Sequence, residues 1–397
     1  MTFTPSRPLP DPVPDPAFQQ ASTFRRRLRP LLRLILILAA LHAYIGWRLL
    51  PAMPIGPLGW GIGVVLLALS TLLMPLGMFS GMVTADHTLG DRLTWVGTLL
   101  MGLFSSLFVL TLLRDVALLF LPAGSADSTS AMMVPALALL ASLVGLGNAR
   151  RVAKVVDVDI PLAGLPPELD GFTIVQLSDI HVGPTIKAGY VEAIVERVNS
   201  LDADAVAITG DLVDGNVRQL ARHTAPLARL QGRHGVYVVT GNHEYYSGAH
   251  QWIAEFRRLG LVVLMNQHVV IQHRGERLIL AGVADYGAHQ FDVSHRSDPR
   301  RALAGAPPGV PRILLAHQPR SAEAAASAGF DLQISGHTHG GQFWPWNLFV
   351  RLQQPYTAGL HRLDKLWVYT SRGTGYWGPP KRFGAPAEIT RLRLVAA

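Results

Sequence analysis

The chain has 397 residues, 49% of them hydrophobic and only 16% charged, with a formal net charge of +8 and no cysteine. Soluble domains carry about 25% charged residues, so part of this chain is expected in lipid, with buried helices of a soluble bundle as the alternative. The missing cysteines exclude disulfides and thiolate zinc sites, so any metal must sit on His, Asp, Glu or Asn.

The two parts of the chain differ in chemistry. Residues 1–150 hold ten Arg against six Asp or Glu, while thirteen of the fifteen His come after residue 150. Residues 1–30 (PSRPLPDPVPDP, then FRRRLR) are proline-rich and basic, and are expected to form a disordered tail. Residues 31–149 carry four apolar stretches, from Leu31, from Leu58 to Phe79, from Leu93 to about Leu121, and from Ala131 to Ala149. Each is long enough for a transmembrane helix, which needs about 17–25 residues. Arg114 and Asp115 interrupt the third stretch near its end. They are expected at the membrane interface with the arginine reaching outward, the alternative being a functional pair inside the span.

Lys and Arg near the spans set the orientation. Arg25, Arg26, Arg27, Arg29 and Arg33 precede the first span, and Arg150, Arg151 and Lys154 follow the fourth, while the loops near 51–57 and 122–131 have neither. Both termini are therefore expected in the cytoplasm, in a multi-pass protein of the inner (cytoplasmic) membrane. A competing signal is FRRRLR before an apolar run, which resembles a twin-arginine export signal and would put the later domain on the exported face.

From Val152 the pattern becomes one of short β-rich runs: VVDVDI, FTIVQLS, AVAIT, VYVVT, RLILAGV, RILLAH, DLQIS, LWVYTS and EITRLRL. Helical patterns such as AGYVEAIVERVNSL and GAHQWIAEFRRLG lie between several of them, so residues 150–397 are expected to form an α/β domain. Five runs end in metal-ligand residue types: Asp179 and His181; Gly210, Asp211 and Asp214; Gly241, Asn242, His243 and Glu244; His317; and Gly336, His337, His339, Gly340 and Gly341. Residues two apart on a strand point the same way, so each Asp–His or His–His pair can converge on one point. Loops at one edge of a sheet bring distant segments together. A mixed carboxylate, imidazole and amide set suits Mn, Fe or Zn better than Ca. Seven ligands exceed one tetrahedral ion and fit two if a carboxylate bridges, an arrangement suited to phosphoester hydrolysis.

The blocks DIH, GDLVD, GNHE, AH and GHTH, in this order, resemble the calcineurin-like metallophosphoesterase superfamily, and the later stretch SRGTGYWGPPKRFGAPAEIT resembles its membrane-anchored bacterial members. The resemblance covers roughly Val155 to Leu394. It implies a layered αββα sandwich with mixed sheets and a dinuclear centre. One ion would be held by Asp179, His181, Asp211 and His339, the other by Asp211, Asn242, His317 and His337, with Asp211 bridging. His243 would stabilise developing charge or protonate the leaving oxygen, and Asp214 and Glu244 would orient ligands. Arg372, Lys381 and Arg382 are candidate phosphate contacts, with a solvated basic loop as the alternative. Tyr245 and Tyr246 are expected to pack in the core, with substrate contact as the alternative; the aromatic run FWPWNLFVRLQQPY is expected to pack as core or loop, the alternative being an apolar lip touching the membrane or a lipid tail. His223, His234, His250, His268, His273, His289, His295 and His361 are expected to be exposed or packing residues.

The expected function is that of a membrane-anchored phosphohydrolase cleaving phosphodiester or pyrophosphate bonds, with a lipid-linked substrate as the extension that the anchor suggests. The alternative is a silent membrane scaffold, which loss of Asp211 or His243 would have favoured. No nucleic-acid partner is expected, since no base-stacking or groove-reading motif accompanies the basic charge.

Overall fold

The computed structural model describes residues 16–120 and 127–397. Residues 1–15 of the expected tail and 122–126 of the loop near 122–131 lie outside these residues; helix α1 (Pro16–Leu49) begins ahead of the expected span and takes in residues 16–30, where a disordered tail was expected. It is followed by α2 (Gly56–Met78), the single turn α3 (Ser80–Val83), α4 (His87–Leu118) and α5 (Asp127–Arg150). Among the described residues, four helices are long and apolar enough to cross a membrane, over Leu32–Ala52, Gly56–Met78, His87–Leu118 and Ser128–Arg150. Their outward faces carry exposed Leu36, Ile37, Leu66, Leu72, Leu113 and Leu140, the reverse of a soluble bundle. Asp86 caps α4 by accepting from the Thr88 and Leu89 amides.

Small residues set the helix crossings. A Cβ on Gly97 would lie 2.7 Å from the Gly77 Cα, so α2 and α4 touch backbone to backbone. At the other end of the bundle, Asp115 accepts from Tyr44 (2.6 Å) and Arg48 (2.7 Å). Arg114 is buried and donates to Ser130 (2.9 Å). The arginine therefore does not reach outward as expected. Near the helix ends, pairing with α1 and α5 satisfies both charges within the protein.

The second part contains β1 (Lys154–Leu162), β2 (Thr173–Leu177), α6 (Ala188–Asn199), β3 (Ala205–Ile208), α7 (Val217–Thr224), β4 (Val236–Val238), α8 (Asn242–Tyr246), α9 (Ala249–Arg258) and β5 (Val262–Val263). It continues with β6 (Gln267–His273), β7 (Glu276–Gly282), α10 (Pro299–Ala302), β8 (Arg312–Leu315), α11 (Ala322–Ala328), β9 (Leu332–Ser335), β10 (Gly359–Leu363), β11 (Leu366–Thr370) and β12 (Glu388–Ala396). The strands form two six-stranded sheets, in the orders β1-β12-β2-β3-β4-β5 and β10-β11-β9-β8-β7-β6. Both are mixed. β12 runs antiparallel to β2, and β6 and β10 run antiparallel to β7 and β11, while the central strands are parallel.

Central strands are apolar on both faces because both are covered. In β3, Ala205 and Ala207 face the second sheet, in a core shared with Leu280, Ile313 and Ile334. Val206 and Ile208 face helices α6 and α9 through Ile194, Val198, Trp252 and Phe256. Ile279, Leu314 and Val368 of the second sheet pack on Ala302 and Ala325 of α10 and α11. The result is the αββα layering expected from the sequence.

Residues 151–153 alone separate α5 from β1, and side chains reinforce this short joint. The Lys381 Nζ donates to the Gly102 carbonyl (2.9 Å) and to the hydroxyls of Ser106 and Ser142 (3.1 Å). Burial lowers its pKa to about 8. The Arg382 amide donates to the Gly145 carbonyl (2.9 Å), and Trp346 Nε1 donates to Ser105 (2.9 Å). Lys381 is thus neither a phosphate contact nor solvated, because its charge is satisfied among α4 and α5. The aromatic run is loop rather than core for the most part: Phe343 is buried, while Trp346, Leu348, Phe349 and Leu352 are exposed.

Gly97→Leu should destabilise the bundle, since overpacking costs about 1–3 kcal/mol. The expected readout is a lower thermal midpoint of the full chain in detergent than for Gly61→Leu, whose site faces open space.

Candidate metal centre

The five sequence blocks meet at one end of the two sheets. The loops beyond β2 and β3 extend their pairing: the Asp179 amide donates to the Gly210 carbonyl (3.0 Å), and the His181 amide to Asp211 (3.1 Å). Asp179, His181, Asp211, His337 and His339 have φ of 56°, 57°, 52°, 71° and 51°. Such left-handed geometry costs about 1–3 kcal/mol per residue and persists where the surroundings enforce it. It turns each side chain off the end of its strand.

Two groups of donors result. Ligand atoms of Asp179, His181 and His339 lie within 4.8 Å of one another, as do those of Asp211, His317 and His337. Asp211 faces both: its Oδ2 is 3.1 Å from His317 Nε2 and 3.9 Å from His181 Nε2. Asn242 Oδ1 is 3.2 Å from His317 Nε2. The structure therefore brings together all seven residues proposed from the sequence as ligands.

Neighbouring groups fix the rings. His317 Nδ1 donates to the Thr209 carbonyl (2.7 Å), which directs Nε2 toward Asp211. His181 Nδ1 lies 3.1 Å from Asp214 Oδ1, so its Nε2 faces Asp211 and His339. The same Asp214 oxygen is 2.5 Å from His243 Nδ1. Glu244 accepts from the amides of Gly241 (2.6 Å), Asp211 (3.0 Å) and Leu212 (2.7 Å), locking two loops together. Gly241 leaves the necessary space, since a Cβ there would sit 2.2 Å from Asp211 Oδ1.

Burial opposes ionisation of Asp211, but the imidazoles of His317, His243 and His181 hold its carboxyl well below the usual range. Burial likewise opposes charge on His243, but the Asp214 hydrogen bond and the charges of Asp211, Asp214 and Glu244 raise it to about 9. Burial and the neighbouring His317 push His337 down to about 3. Burial and Asp211 raise Glu244 to about 7.

Other expectations divide. Arg372 pairs with Glu388 (2.7 Å). Arg382 is buried and donates to the carbonyls of His339 (2.9 Å) and Arg372 (2.7 Å), so it braces the ligand loop instead of lying in a solvated one. Tyr245 is buried as expected, but Tyr246 is exposed beside the His243 ring, 5.2 Å between centroids. Of the histidines set aside, His234 and His273 pair with each other (3.0 Å), and His250 and His295 gather near Asp292.

Three contributors escaped the sequence reading. Trp377 stands 5.6 Å from the His243 ring, Thr209 anchors His317, and buried Asp285 accepts from Gln318 (2.9 Å) beside His317. Asp285 follows β7 as the candidate ligands follow their strands, which was a readable signal.

The family described as Calcineurin-like phosphoesterase matches residues 172–341. A Bos taurus protein named "Transmembrane protein with metallophosphoesterase domain" is 42% identical over 290 residues, covering 69% of this chain and 65% of that one. An uncharacterized metallophosphoesterase of Helicobacter pylori is 40% identical over 244 residues, covering 61% and 64%. Another, of Campylobacter jejuni, is 32% identical over 322 residues, covering 78% of this chain and 83% of that one. The chain thus spans slightly less than two thirds of the first two relatives.

Gly241→Ala should displace the Asp211 carboxylate. Mn binding is expected to weaken about 10–100-fold, the range for disturbed ligand supports, in a calorimetric titration.

Proposed function

The chain belongs to the calcineurin-like phosphoesterase family, and on that premise we propose that it is a membrane-anchored phosphohydrolase that uses two divalent metal ions to cleave phosphodiester or pyrophosphate bonds. The single observation that carries this reading is the gathering of six further ligand-type side chains around one buried carboxylate, Asp211, with His181 and His317 both near its Oδ2. The donor set fits two ions of the Mn, Fe or Zn type. Asp179, His181, Asp211 and His339 would hold one, and Asp211, Asn242, His317 and His337 the other. When bound, such ions polarise a phosphoryl group and offset charge on the attacking and leaving oxygens.

The protein's own groups supply the rest. His243 Nδ1 is held by Asp214, which leaves Nε2 free to give a proton to the leaving oxygen. With a pKa raised to about 9, His243 carries that proton at neutral pH. Trp377 and Tyr246, both exposed, flank its ring at 5.6 and 5.2 Å between centroids. The apolar helices support anchoring in the cytoplasmic membrane, and the basic residues at Arg150, Arg151 and Lys154 support a cytoplasmic position for the second domain. Anchoring also makes a lipid-linked phosphoester the favoured substrate class.

The test is hydrolysis of bis(4-nitrophenyl) phosphate by the full chain in detergent, chelated and then supplied with Mn. Activity should return with Mn. Asp211→Asn should lose Mn binding and activity together. His243→Ala should keep most of its Mn and lose about 10²–10⁴-fold in kcat, the range for a positioned acid. Wild-type rates in both variants would overturn the reading, and a metal-binding chain without turnover would favour a silent scaffold.

The pH profile provides a second check. His243 acts protonated, so kcat should fall as pH rises through its pKa of about 9. Asp214→Asn removes a hydrogen bond and a charge that raise this pKa, so the alkaline limb should move to lower pH. An unmoved limb would show that another group sets it.

A further inference from the structure

A cavity of about 570 Å³ lies between the bundle and the candidate metal centre. Ligand pockets commonly span about 300–1,000 Å³, so one flexible chain fits. Its bundle wall is formed by Leu38 of α1, Met74 of α2, and Met101 and Phe104 of α4. Its other wall comes from Phe343 and Trp346 in the aromatic run, and His337 and His339 line it too. One cavity therefore joins the metal ligands to the apolar interior of the bundle.

The polar groups around it are already occupied. Ser105 accepts from Trp346 Nε1 (2.9 Å), and the Thr338 hydroxyl donates to the Thr357 carbonyl (2.6 Å). The Gln342 amide donates to the carbonyls of Trp377 and Pro379 (2.9 Å each) and accepts from the Trp377 amide (2.8 Å). The remaining lining offers hydrocarbon and aromatic surface. A polar headgroup or peptide would lose its hydrogen bonds to water here and gain none, whereas an alkyl chain would lose nothing.

We propose that this cavity binds one hydrocarbon chain of a membrane lipid while the phosphate of the same molecule lies at the metal centre. This rests on the phosphohydrolase reading above and names its substrate as a chain-bearing phosphoester. The position of the cavity selects a lipid: it is walled by helices α1, α2 and α4 within their membrane-spanning stretches, where acyl chains are the surrounding medium. Its lining imidazoles set the direction, chain toward the bundle and phosphate toward His337 and His339. Trp346, which lines the cavity and is exposed, stands where such a chain would enter.

The experiment compares 4-nitrophenyl methyl phosphate with 4-nitrophenyl dodecyl phosphate, using the full chain with Mn in phosphatidylcholine vesicles. Transfer of each methylene from water favours binding about fourfold, so kcat/KM should favour the dodecyl ester by about a hundredfold or more. Met101→Trp, which fills the cavity, should reduce that ratio at least about tenfold. Equal use of both esters, or a preference that survives Met101→Trp, overturns the chain site and leaves the phosphohydrolase reading standing. Photolabelling covers a variant that fails to fold. In wild-type protein, phosphatidic acid with a diazirine in its acyl chain should label Met101 and Phe104 more than the outward Leu140, and unlabelled phosphatidic acid should compete. Equal labelling without competition overturns the proposal. If neither ester is hydrolysed, the phosphohydrolase reading fails, and the labelling alone decides the chain site.

Discussion

The Asp211 carboxylate must be held out of water where several imidazoles can reach it, and the domain is arranged around that demand. Burying a lone carboxylate is prohibitive, and the structure offsets the cost with neighbouring positive charge and hydrogen bonds. His317 stands 3.1 Å from one oxygen, and the His243 amide donates to the other at 2.9 Å. Glu244 then ties the Asp211 loop to the loop after β4. Neither contact survives unless the chain comes close at Gly210 and Gly241, where a side chain would strike the neighbouring loop. Strand pairing brings these segments near; the glycines let them touch.

Asp214 adds a second dependence. One of its oxygens meets both His181 and His243. In the proposed centre these have different work, one holding a metal and the other carrying a proton. A single carboxylate thus fixes the spacing between the ion and the acid. Substitution there disturbs both, so its effects on binding and on rate should not be separable by simple addition.

Much of this was legible because each ligand block follows its strand directly. Strands β2, β3, β4, β8 and β9 read clearly as apolar runs, and Asp179, Asp211, Asn242, His317 and His337 stand just beyond them. Strands β5, β6 and β10 did not read clearly. All three are sheet edges, and edge strands lack the continuous apolar pattern of strands covered on both faces. In β6 the pattern QHVVIQH buries Ile271 and His273 and leaves Gln267 and Val270 exposed. Arg382 and Lys381 misled for a different reason. A basic pair in a glycine-rich loop looks like an anion contact, and local sequence cannot reveal that Gly102, Ser106 and Ser142 lie opposite Lys381. Arg114 behaved alike: its partner Ser130 lies on the next helix.

The short joint between α5 and β1, fastened by Lys381, has a consequence for encounter. A domain on a flexible linker would sweep a hemisphere above the bilayer, at an effective concentration set by linker length. In the membrane anchoring proposed above, residues 151–153 and the seated lysine would instead keep the catalytic cleft at one height and one attitude. A bilayer-resident molecule then needs only to diffuse in two dimensions to reach it, whereas a dissolved one must approach from the faces that the helices leave open.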